Sequence, residues 1–269
     1  MAKIAVFYDH LLEIARQERI PLAQALQMAR QMGIDYVEVS SHCISPGLGE
    51  ELAAAGLKIS CIPCFFDFGR DPDPLASALP VLETAKNLGA DKLLLVPGFW
   101  GEEDSLAQQE QQTENMLSAI QALVGPAAKK GITLTIEDYD SRLAPYATIK
   151  GLRRFLARCP GLALTFDTGN FRYSGEDEKA AWAALGDRVV HVHLKDRALT
   201  PAYGSEPLAA AGGERLFPCP VGQGAIPIRQ LIELLKENEY FGVYTIEHYG
   251  VRNMLACLRQ SIDWLRQNL

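Results

Sequence analysis

The chain has 269 residues, of which 48% are hydrophobic and 22% are charged, as in ordinary soluble globular domains. Its formal net charge of −7 argues against nucleic acid as a partner, because a nucleic-acid backbone favours a basic surface. No apolar run approaches the roughly 20 residues that span a bilayer, and the N-terminus MAKIAVFYDH lacks a secretory signal. We therefore expect a cytoplasmic protein with neither nucleic acid nor membrane as a partner.

Short apolar runs typical of strands alternate with longer amphipathic runs typical of helices. In chain order, the strand-like runs are 3–9, 36–40, 58–63, 92–98, 133–140, 162–170, 188–196 and 243–250. The helix-like runs that follow them are 21–33, 49–55, 74–89, 106–130, 150–159, 178–187, 227–239 and 251–269. About eight strand–helix units in a chain of this length predict an α/β fold, the (β/α)8 or TIM barrel.

The positions of glycines, and the lack of a linker within the sequence, support a single barrel. Glycines lie at or just after the ends of five of the helix-like runs, where helices usually end: Gly33, Gly56, Gly89, Gly131 and Gly161. No linker rich in Pro, Ser or Gly divides the chain, so we expect one domain over residues 1–269. A doubly wound open sheet is the alternative architecture, but the first strand-to-helix turn lacks the G-x-G-x-x-G pattern.

The six cysteines are scattered, which argues against a disulfide framework in a chain of this size. Two of them, Cys61 and Cys64 in the segment CIPC, match the C-x-x-C pattern of redox and zinc sites. However, residues three apart in a strand point to opposite faces, and the sequence has no second pair of this kind. We therefore interpret both cysteines as structural.

Polar residues recur at one parity near the ends of the last four strand-like runs. The sets that share a face are Thr135 with Glu137, Thr165 with Asp167, His191 with His193, and Thr245 with Glu247. The opposite parity is bulky and apolar, as expected for residues that pack on the outer helices. The polar sets should therefore lie inside the barrel and end at its C-terminal mouth, where active sites of this fold lie.

Three carboxylates and an imidazole that meet in one cavity repel one another or stay protonated unless a positive partner is present. A bound divalent cation would resolve this conflict. The candidate ligands are Glu137, Asp167, His193 and Glu247. Such an oxygen-rich set suits Mn²⁺, Mg²⁺ or Co²⁺, and Zn²⁺ also accepts Asp, Glu and His. The alternative, in which these are ordinary strand-end acids and a core histidine, is weakened by their shared parity on consecutive strands.

Four segments in this order resemble the sugar phosphate isomerase/epimerase group of xylose-isomerase-like TIM barrels: IEDYD (136–140), FDTGNF (166–171), HVHLKD (191–196) and TIEHYG (245–250). The segment PVGQGAIP (220–227) is also similar to the G-x-G turn of that group. The group includes ketose 3-epimerases, hydroxypyruvate isomerases and inosose-processing enzymes, and it is related to zinc-dependent apurinic endonucleases. The resemblance covers nearly the whole chain.

The resemblance implies a metal-dependent isomerase or epimerase that acts on a small sugar or sugar phosphate. It makes Glu137, Asp167, His193 and Glu247 the metal ligands, with the two glutamates also serving as the acid/base pair. In such chemistry the metal stabilises the enediolate that forms when a proton leaves the carbon beside a ketone. One glutamate can remove the proton and the other can return it. Return to the opposite face of the same carbon gives an epimer, and transfer to the neighbouring carbon gives an aldose–ketose isomer; both outcomes stay open.

Two departures from the free-ketose epimerases concern the substrate. Those enzymes often have His three residues after the aspartate, where this chain has Asn170. They often have Arg six residues after the metal histidine, where this chain has Leu199. Both positions contact substrate in the family, which argues against a free keto-hexose. Lys195 and Arg197 are alternative positive contacts for the substrate, or solvated loop charges.

Other candidates lie near the predicted mouth. Glu38, at the inward parity of the second strand, is either a substrate contact or a charge at the barrel rim. His42 follows it and is a candidate substrate contact. Trp100 follows the fourth strand, where it would form an apolar wall over a sugar or cap the core. We expect His191, beneath His193, to support the site through a hydrogen bond in the core.

The chain has two features that bear on partners. The loop over 195–227 is long for this fold, and long loops often form lids or partner surfaces. The closing helix over 251–269 has enough apolar positions for a homo-oligomer contact, although core packing explains them equally well.

Two alternative functions are an endonuclease-like hydrolase and a sugar-binding barrel without turnover. A site with two or three metals would need more histidines at strand ends than the five in this chain provide. The presence of all four candidate metal ligands argues against a sugar-binding barrel that has lost catalytic activity.

Overall fold

The computed structural model describes residues 2–269, and its strands form a closed barrel. In chain order the strands are β1 (Lys3–Phe7), β2 (Tyr36–Glu38), β3 (Lys58–Phe65), β4 (Lys92–Val96), β5 (Thr133–Ile136), β6 (Ala163–Asp167), β7 (Val189–Ala198), β8 (Leu208–Ala209), β9 (Arg215–Cys219) and β10 (Val243–Glu247). All except β8 and β9 pair in parallel with their neighbours, and β10 pairs with both β7 and β1, which closes the ring. The predicted (β/α)8 barrel is confirmed.

Helices surround this barrel. They are α1 (Tyr8–Glu18), α2 (Leu22–Gln31), α3 (Leu48–Ala54), α4 (Pro74–Asn87), α5 (Leu106–Lys129), α6 (Ile149–Arg158), α7 (Asn170–Tyr173), α8 (Glu178–Leu185), α9 (Ile228–Glu237) and α10 (Met254–Asn268). The five glycines expected after helices all have positive φ values, between 72° and 95°. Over residues 2–269, none of the helices is both long enough and apolar enough to cross a membrane.

The inward and outward faces of the strands follow the predicted parity. Thr135, Thr165 and Thr245 are fully buried, and Thr165 Oγ1 donates a hydrogen bond to Thr135 Oγ1 at 2.8 Å. The alternate residues join the core between strands and helices; they include Leu134, Ile136, Leu164, Phe166, Val192, Tyr244 and Ile246. This alternation places the polar set on the interior of the barrel.

The C-x-x-C cysteines are separated by the same alternation. Cys61 lies close to the interior residues Glu38 and His191, whereas Cys64 belongs to the outer core. Both are buried and neither forms a disulfide. Their placement on different faces agrees with a structural role.

The first strand-to-helix unit differs from the expectation. Residues 8–18 form α1 directly after β1, whereas the expected helix began at residue 21. Tyr8, Leu11 and Ile14 are buried and recur every three residues, which is the amphipathic spacing of a helix. Because the strand-like run was extended to residue 9, it concealed the start of this helix.

The long segment between β7 and α9, expected as a loop, contains two short strands. Strand β9 pairs antiparallel with the end of β7, and β8 pairs antiparallel with β9. The segment is therefore attached to the C-terminal end of the barrel by backbone hydrogen bonds, which periodicity in so short a run does not reveal.

Asp196 anchors the Gly-rich turn that follows. Its buried carboxylate accepts hydrogen bonds of 2.8 to 3.2 Å from the backbone N–H groups of Arg197, Gly222, Gly224 and Ile226. A Cβ at Gly224 would lie 2.1 Å from Asp196 Oδ1, so this close approach requires glycine. One side chain thus fixes the turn beside the barrel mouth.

The apolar side of α10 is used inside the chain. Met254, Leu258, Ile262 and Leu265 are buried in the core. Core packing therefore accounts for these positions, and a homo-oligomer stays a prediction.

Replacing Asp196 with alanine should lower the free energy of unfolding by about 2 to 3 kcal/mol, because it leaves several buried N–H groups without an acceptor. Chemical denaturation measures this change. Asp187 is exposed, and Asp187→Ala should change stability by less than about 0.5 kcal/mol. Equal effects of the two substitutions would contradict the anchoring role.

Candidate metal centre

The four predicted metal ligands meet at the C-terminal end of the barrel. Asp167 and Glu247 are the last residues of β6 and β10, and Glu137 directly follows β5. In the strand register, Asp167 lies beside His193, which in turn lies beside Thr245. One ligand atom from each of the four side chains lies within 4.8 Å of the others.

His193 lies at the centre of this cluster. Its Nδ1 is 2.9 Å from Glu137 Oε2, 3.2 Å from Glu247 Oε2 and 4.0 Å from Asp167 Oδ2. Three of these buried atoms, Glu137 Oε2, Asp167 Oδ2 and His193 Nδ1, have no hydrogen bond of acceptable geometry. Buried polar atoms normally have partners, so a group of three without one indicates a ligand position. One nitrogen and three carboxylates fit a divalent cation.

Asp167 is held in place by its other oxygen. Oδ1 accepts hydrogen bonds from the backbone N–H groups of Gly169 and Asn170, both at 2.8 Å. The Asn170 side chain donates to the carbonyl of Asp138 at 2.9 Å, and its Oδ1 accepts from Lys195. Asn170 therefore connects strands β5, β6 and β7 and is buried away from the cavity.

Glu38 lies beneath the cluster. Its Oε1 is 2.6 Å from His191 Nε2, and its Oε2 is 3.1 Å from His193 Nε2. All three side chains are fully buried. Burial alone would raise the pKa of Glu38, but His193 and His191 hold that pKa well below its usual range. An anionic Glu38 that accepts the Nε2–H of His193 leaves Nδ1 free to bind a metal.

Lys195 is a buried cation beside the cluster. Its Nζ is 2.5 Å from Glu247 Oε1, 2.9 Å from Asn170 Oδ1 and 3.8 Å from Asp167 Oδ2. Burial would lower the pKa of Lys195, but Asp167 and Glu247 outweigh it and raise the pKa. Lys195 therefore stays positively charged.

The two glutamates have different electrostatic environments. Burial raises the pKa of Glu137, and burial raises the pKa of Asp167 to about 7. Burial also opposes ionisation of Glu247, but Lys195 and His193 hold its pKa well below the usual range. The asymmetry arises because Lys195 directly contacts only Glu247 of the two glutamates.

A cavity of about 460 Å³ opens above the cluster. Its lining comprises Phe7, Asp9, Ser40, His42, Pro63, Phe65, Leu94, Val96, Glu137, Tyr139, Glu247 and Tyr249. Both candidate acid/base residues, Glu137 and Glu247, thus border the space where a substrate would lie. Of the six residues predicted as substrate contacts, His42 lies in this lining.

The other predicted contacts lie elsewhere. Glu38, Asn170 and Lys195 are buried around the cluster, and Arg197 Nη2 is 3.1 Å from Asp140 Oδ2. The indole N–H of Trp100 lies 3.0 Å from two acceptors on α5, the Gln109 carbonyl and Thr113 Oγ1. Trp100 therefore packs on α5 and is outside the cavity lining, because the helix supplies the acceptors that its buried N–H requires.

Most of the residues that line the cavity were not predicted from the sequence. The missed residues include Phe7, Asp9, Phe65, Tyr139 and Tyr249. All of them lie at the end of a parallel strand or within three residues after it. That position is the signal that could have found them.

A second group of potential ligands lies at the rim. Asp9, His42 and Cys43 bring their ligand atoms within 4.8 Å of one another. Cys43 Sγ lies 3.1 Å from Asp9 Oδ1, and burial together with Asp9 raises the pKa of its thiol to about 12. This thiol is therefore protonated near neutral pH.

The fold and the donor cluster define an α/β barrel with a candidate metal centre at its C-terminal mouth. A family model described as xylose isomerase-like TIM barrel matches residues 26–268. The chain belongs to this family.

Three similar proteins extend the comparison. The L-ribulose-5-phosphate 3-epimerase UlaE of Salmonella paratyphi A is 22% identical over 268 residues, covering 91% of this chain and 89% of the relative. An inosose dehydratase of Clostridium botulinum is 36% identical over 88 residues, which cover 31% of this chain and only 29% of the relative. The crystal structure of a xylose isomerase-like TIM barrel protein from Mycobacterium smegmatis in complex with magnesium superposes with a TM-score of 0.70. It is 22% identical and covers 99% of this chain and 96% of its own, a likeness that shows the fold.

Glu38→Gln should weaken divalent-metal binding by about 10- to 100-fold, because it removes the carboxylate that orients His193. Titration calorimetry with Mn²⁺ measures the affinity, and circular dichroism checks that the variant is folded. Glu50→Gln, at an exposed position, should bind the metal as the parent does. A folded Glu38→Gln variant with unchanged affinity would contradict the orienting role.

Proposed function

We propose that this protein is a divalent-metal-dependent isomerase or epimerase that moves a proton at the carbon beside a carbohydrate carbonyl. The main support is the convergence of three unpartnered buried atoms, on Glu137, Asp167 and His193, beneath an open cavity. Glu247 completes a donor set that suits Mn²⁺, Mg²⁺, Co²⁺ or Zn²⁺. When bound, the metal would supply Lewis-acid polarisation of the substrate carbonyl.

Glu137 and Glu247 are the residues that would move the proton. They border the cavity from strands β5 and β10, which are separated in the barrel by β6 and β7. A substrate carbon between them would have a carboxylate on either side. One glutamate removes the proton from this carbon, and the other returns a proton from its own position. Return to the same carbon inverts it, and return to the neighbouring carbon exchanges ketone and aldehyde.

The residues around the glutamates support this role. Lys195 holds Glu247 in one orientation through a contact of 2.5 Å, so the carboxylate presents its other oxygen to the cluster. Phe7 packs edge-on against His193, with 5.1 Å between the ring centroids. These contacts exclude water from beneath the substrate, which strengthens the electrostatic interactions there.

Dehydration is a second candidate, because part of the chain is similar to an inosose dehydratase. The first step would be the same removal of a proton beside the carbonyl. The hydroxyl on the next carbon would then leave with a proton from the second glutamate, giving one water and an unsaturated ketone.

The hydrolase and binding-module alternatives have less support. The cavity lining contains no Lys or Arg for a phosphodiester backbone, among the residues from 2 to 269. A binding module would not require two carboxylates that face the substrate beside a candidate metal centre.

Incubation of the protein with a panel of ketoses and keto-polyols in deuterium oxide tests the proposal. With Mn²⁺ we expect deuterium to enter at a carbon beside the carbonyl, and we expect this exchange to stop after chelation. Mass spectrometry also detects loss of one water, which would identify the dehydratase. Sugar binding without exchange or water loss would contradict both enzymatic proposals.

Glu137→Gln and Glu247→Gln should each lower the rate of deuterium exchange by at least about 100-fold, because glutamine cannot accept the proton. Nuclear magnetic resonance of the substrate carbon measures this rate at saturating Mn²⁺. Glu237→Gln, at an exposed position on α9, is the matched control and should exchange at the parental rate. A Glu247→Gln variant that binds metal and keeps the parental rate would refute its assigned role.

A further inference from the structure

The cavity lining is rich in negative charge. Asp9, Glu137 and Glu247 contribute three carboxylates, and His42 is the one basic side chain of the lining within residues 2–269. Sites that bind phosphate or carboxylate groups usually present Arg, Lys or backbone N–H groups to them. The lining therefore lacks the side chains that would hold an anionic group.

Two buried cations at the barrel mouth, Lys195 and Arg197, already have carboxylate partners. Lys195 contacts Glu247 at 2.5 Å and Asp140 at 3.7 Å, and Arg197 contacts Asp140 at 3.1 Å. Lys195 and Arg197 are also more than nine-tenths buried. A phosphate that recruited either cation would leave a carboxylate unpaired in a poorly solvated place, which is costly.

The charge balance of the whole centre leads to the same result. Glu38, Glu137, Asp167 and Glu247 together carry four negative charges if all are ionised. A divalent ion and Lys195 would supply three positive charges, so the centre would keep one negative charge. Asp9 then adds a further carboxylate to the lining, and within residues 2–269 its oxygens contact the hydroxyl groups of Ser40 and Tyr249 and the thiol of Cys43. An incoming phosphate would meet a repulsive field.

Aromatic side chains occupy two sides of the cavity. Phe7 and Tyr249 lie on the β1–β10 side, with ring centroids 5.7 Å apart. Phe65 and Tyr139 lie on the β3–β5 side, with centroids 6.4 Å apart. In an eight-stranded ring, β1 and β5 are diametrically opposite. The two aromatic pairs therefore face the cavity from opposing sides.

Two of these rings are unusually exposed for aromatic residues. Phe65 is 50% exposed and Tyr249 is 44% exposed. Exposed apolar surface in a concave site is typical of a surface that a ligand covers. The apolar C–H faces of a sugar or polyol ring can pack on such rings, while Asp9 and His42 offer polar contacts to its hydroxyl groups.

From these contacts we infer that the site selects an uncharged keto sugar or keto-polyol, held between the two aromatic pairs, and discriminates against phosphorylated sugars. The inference rests on the proposed function, because it names the substrate class of the same site. It separates this chain from its relative named as an L-ribulose-5-phosphate 3-epimerase, to which it is 22% identical. It also assigns Lys195 and Arg197 to carboxylate partners of the chain in place of the substrate.

Calorimetric titration of the Mn²⁺-loaded protein with matched sugars tests the inference. Suitable pairs are L-ribulose with L-ribulose 5-phosphate and D-xylulose with D-xylulose 5-phosphate. We expect the uncharged member of at least one pair to bind at least about tenfold more tightly than its phosphate, because like charges oppose binding of the phosphate. Tighter binding of the phosphates, or binding of neither member of either pair, would overturn the inference.

Substitutions at Phe65 and Asp9, each with a control, test the residues on which the inference about the substrate class rests. Phe65→Ala should weaken binding of the uncharged sugar by about 5- to 10-fold through loss of its aromatic contact. Phe241→Ala is the matched control, since Phe241 is 81% exposed and precedes β10 at the other end of the barrel. Asp9→Lys should strengthen binding of the phosphate by at least about tenfold, whereas Asp9→Asn should have a smaller effect. Unchanged phosphate affinity in Asp9→Lys, or equal effects of the two Phe substitutions, would contradict the assigned contacts.

The same sugars in the deuterium-exchange assay separate this inference from the proposed function. Exchange together with preferred binding of phosphates would contradict the substrate class alone. Preferred binding of uncharged sugars without exchange or water loss would contradict the catalytic proposal alone.

Discussion

Repulsion among three buried carboxylates around one imidazole is the constraint on which the barrel mouth depends. Glu137, Asp167 and Glu247 leave solvent together, and an isolated buried charge costs several kcal/mol. Lys195 offsets part of this cost at Glu247, and His193 contacts both glutamates. Three donor atoms still lack partners. A divalent cation would satisfy all of them at once, which is why we propose a metal centre here in place of a closed network of ion pairs.

The barrel holds these side chains with rigid support. Parallel strands bring their C-terminal ends to one side, so residues distant in the sequence meet without long loops. Glu38 orients His193 from below, and the backbone of α7 holds Asp167 from one side. Asp196 fixes the Gly-rich turn beside the mouth. The candidate metal ligands His193 and Asp167 are thus held in place by hydrogen bonds to groups outside the cavity lining.

The sequence predicted the barrel and the convergence of the donor set because both depend on period-two alternation along the strands. It did not predict that Glu38 lies beneath His193, because alternation along a strand shows which face a side chain is on but not how far below the barrel mouth it lies. The wrong expectation for α1 came from extending the strand-like run to residue 9, because its last two residues, Tyr8 and Asp9, are the first residues of the helix. Trp100 could not be placed from sequence because its direction depends on acceptors supplied by α5. The pairing of Lys195 with Glu247 likewise requires coordinates, because alternation along two neighbouring strands does not show which of their side chains touch.

The central claim is that one divalent metal binds between Glu137, Asp167, His193 and Glu247. An anomalous-scattering map from crystals grown with Mn²⁺ tests it most directly, because it locates the ion without reference to activity. We expect one strong peak within coordination distance of all four side chains. A map with no peak at this position, or with its only peak at Asp9, His42 and Cys43, would contradict the account.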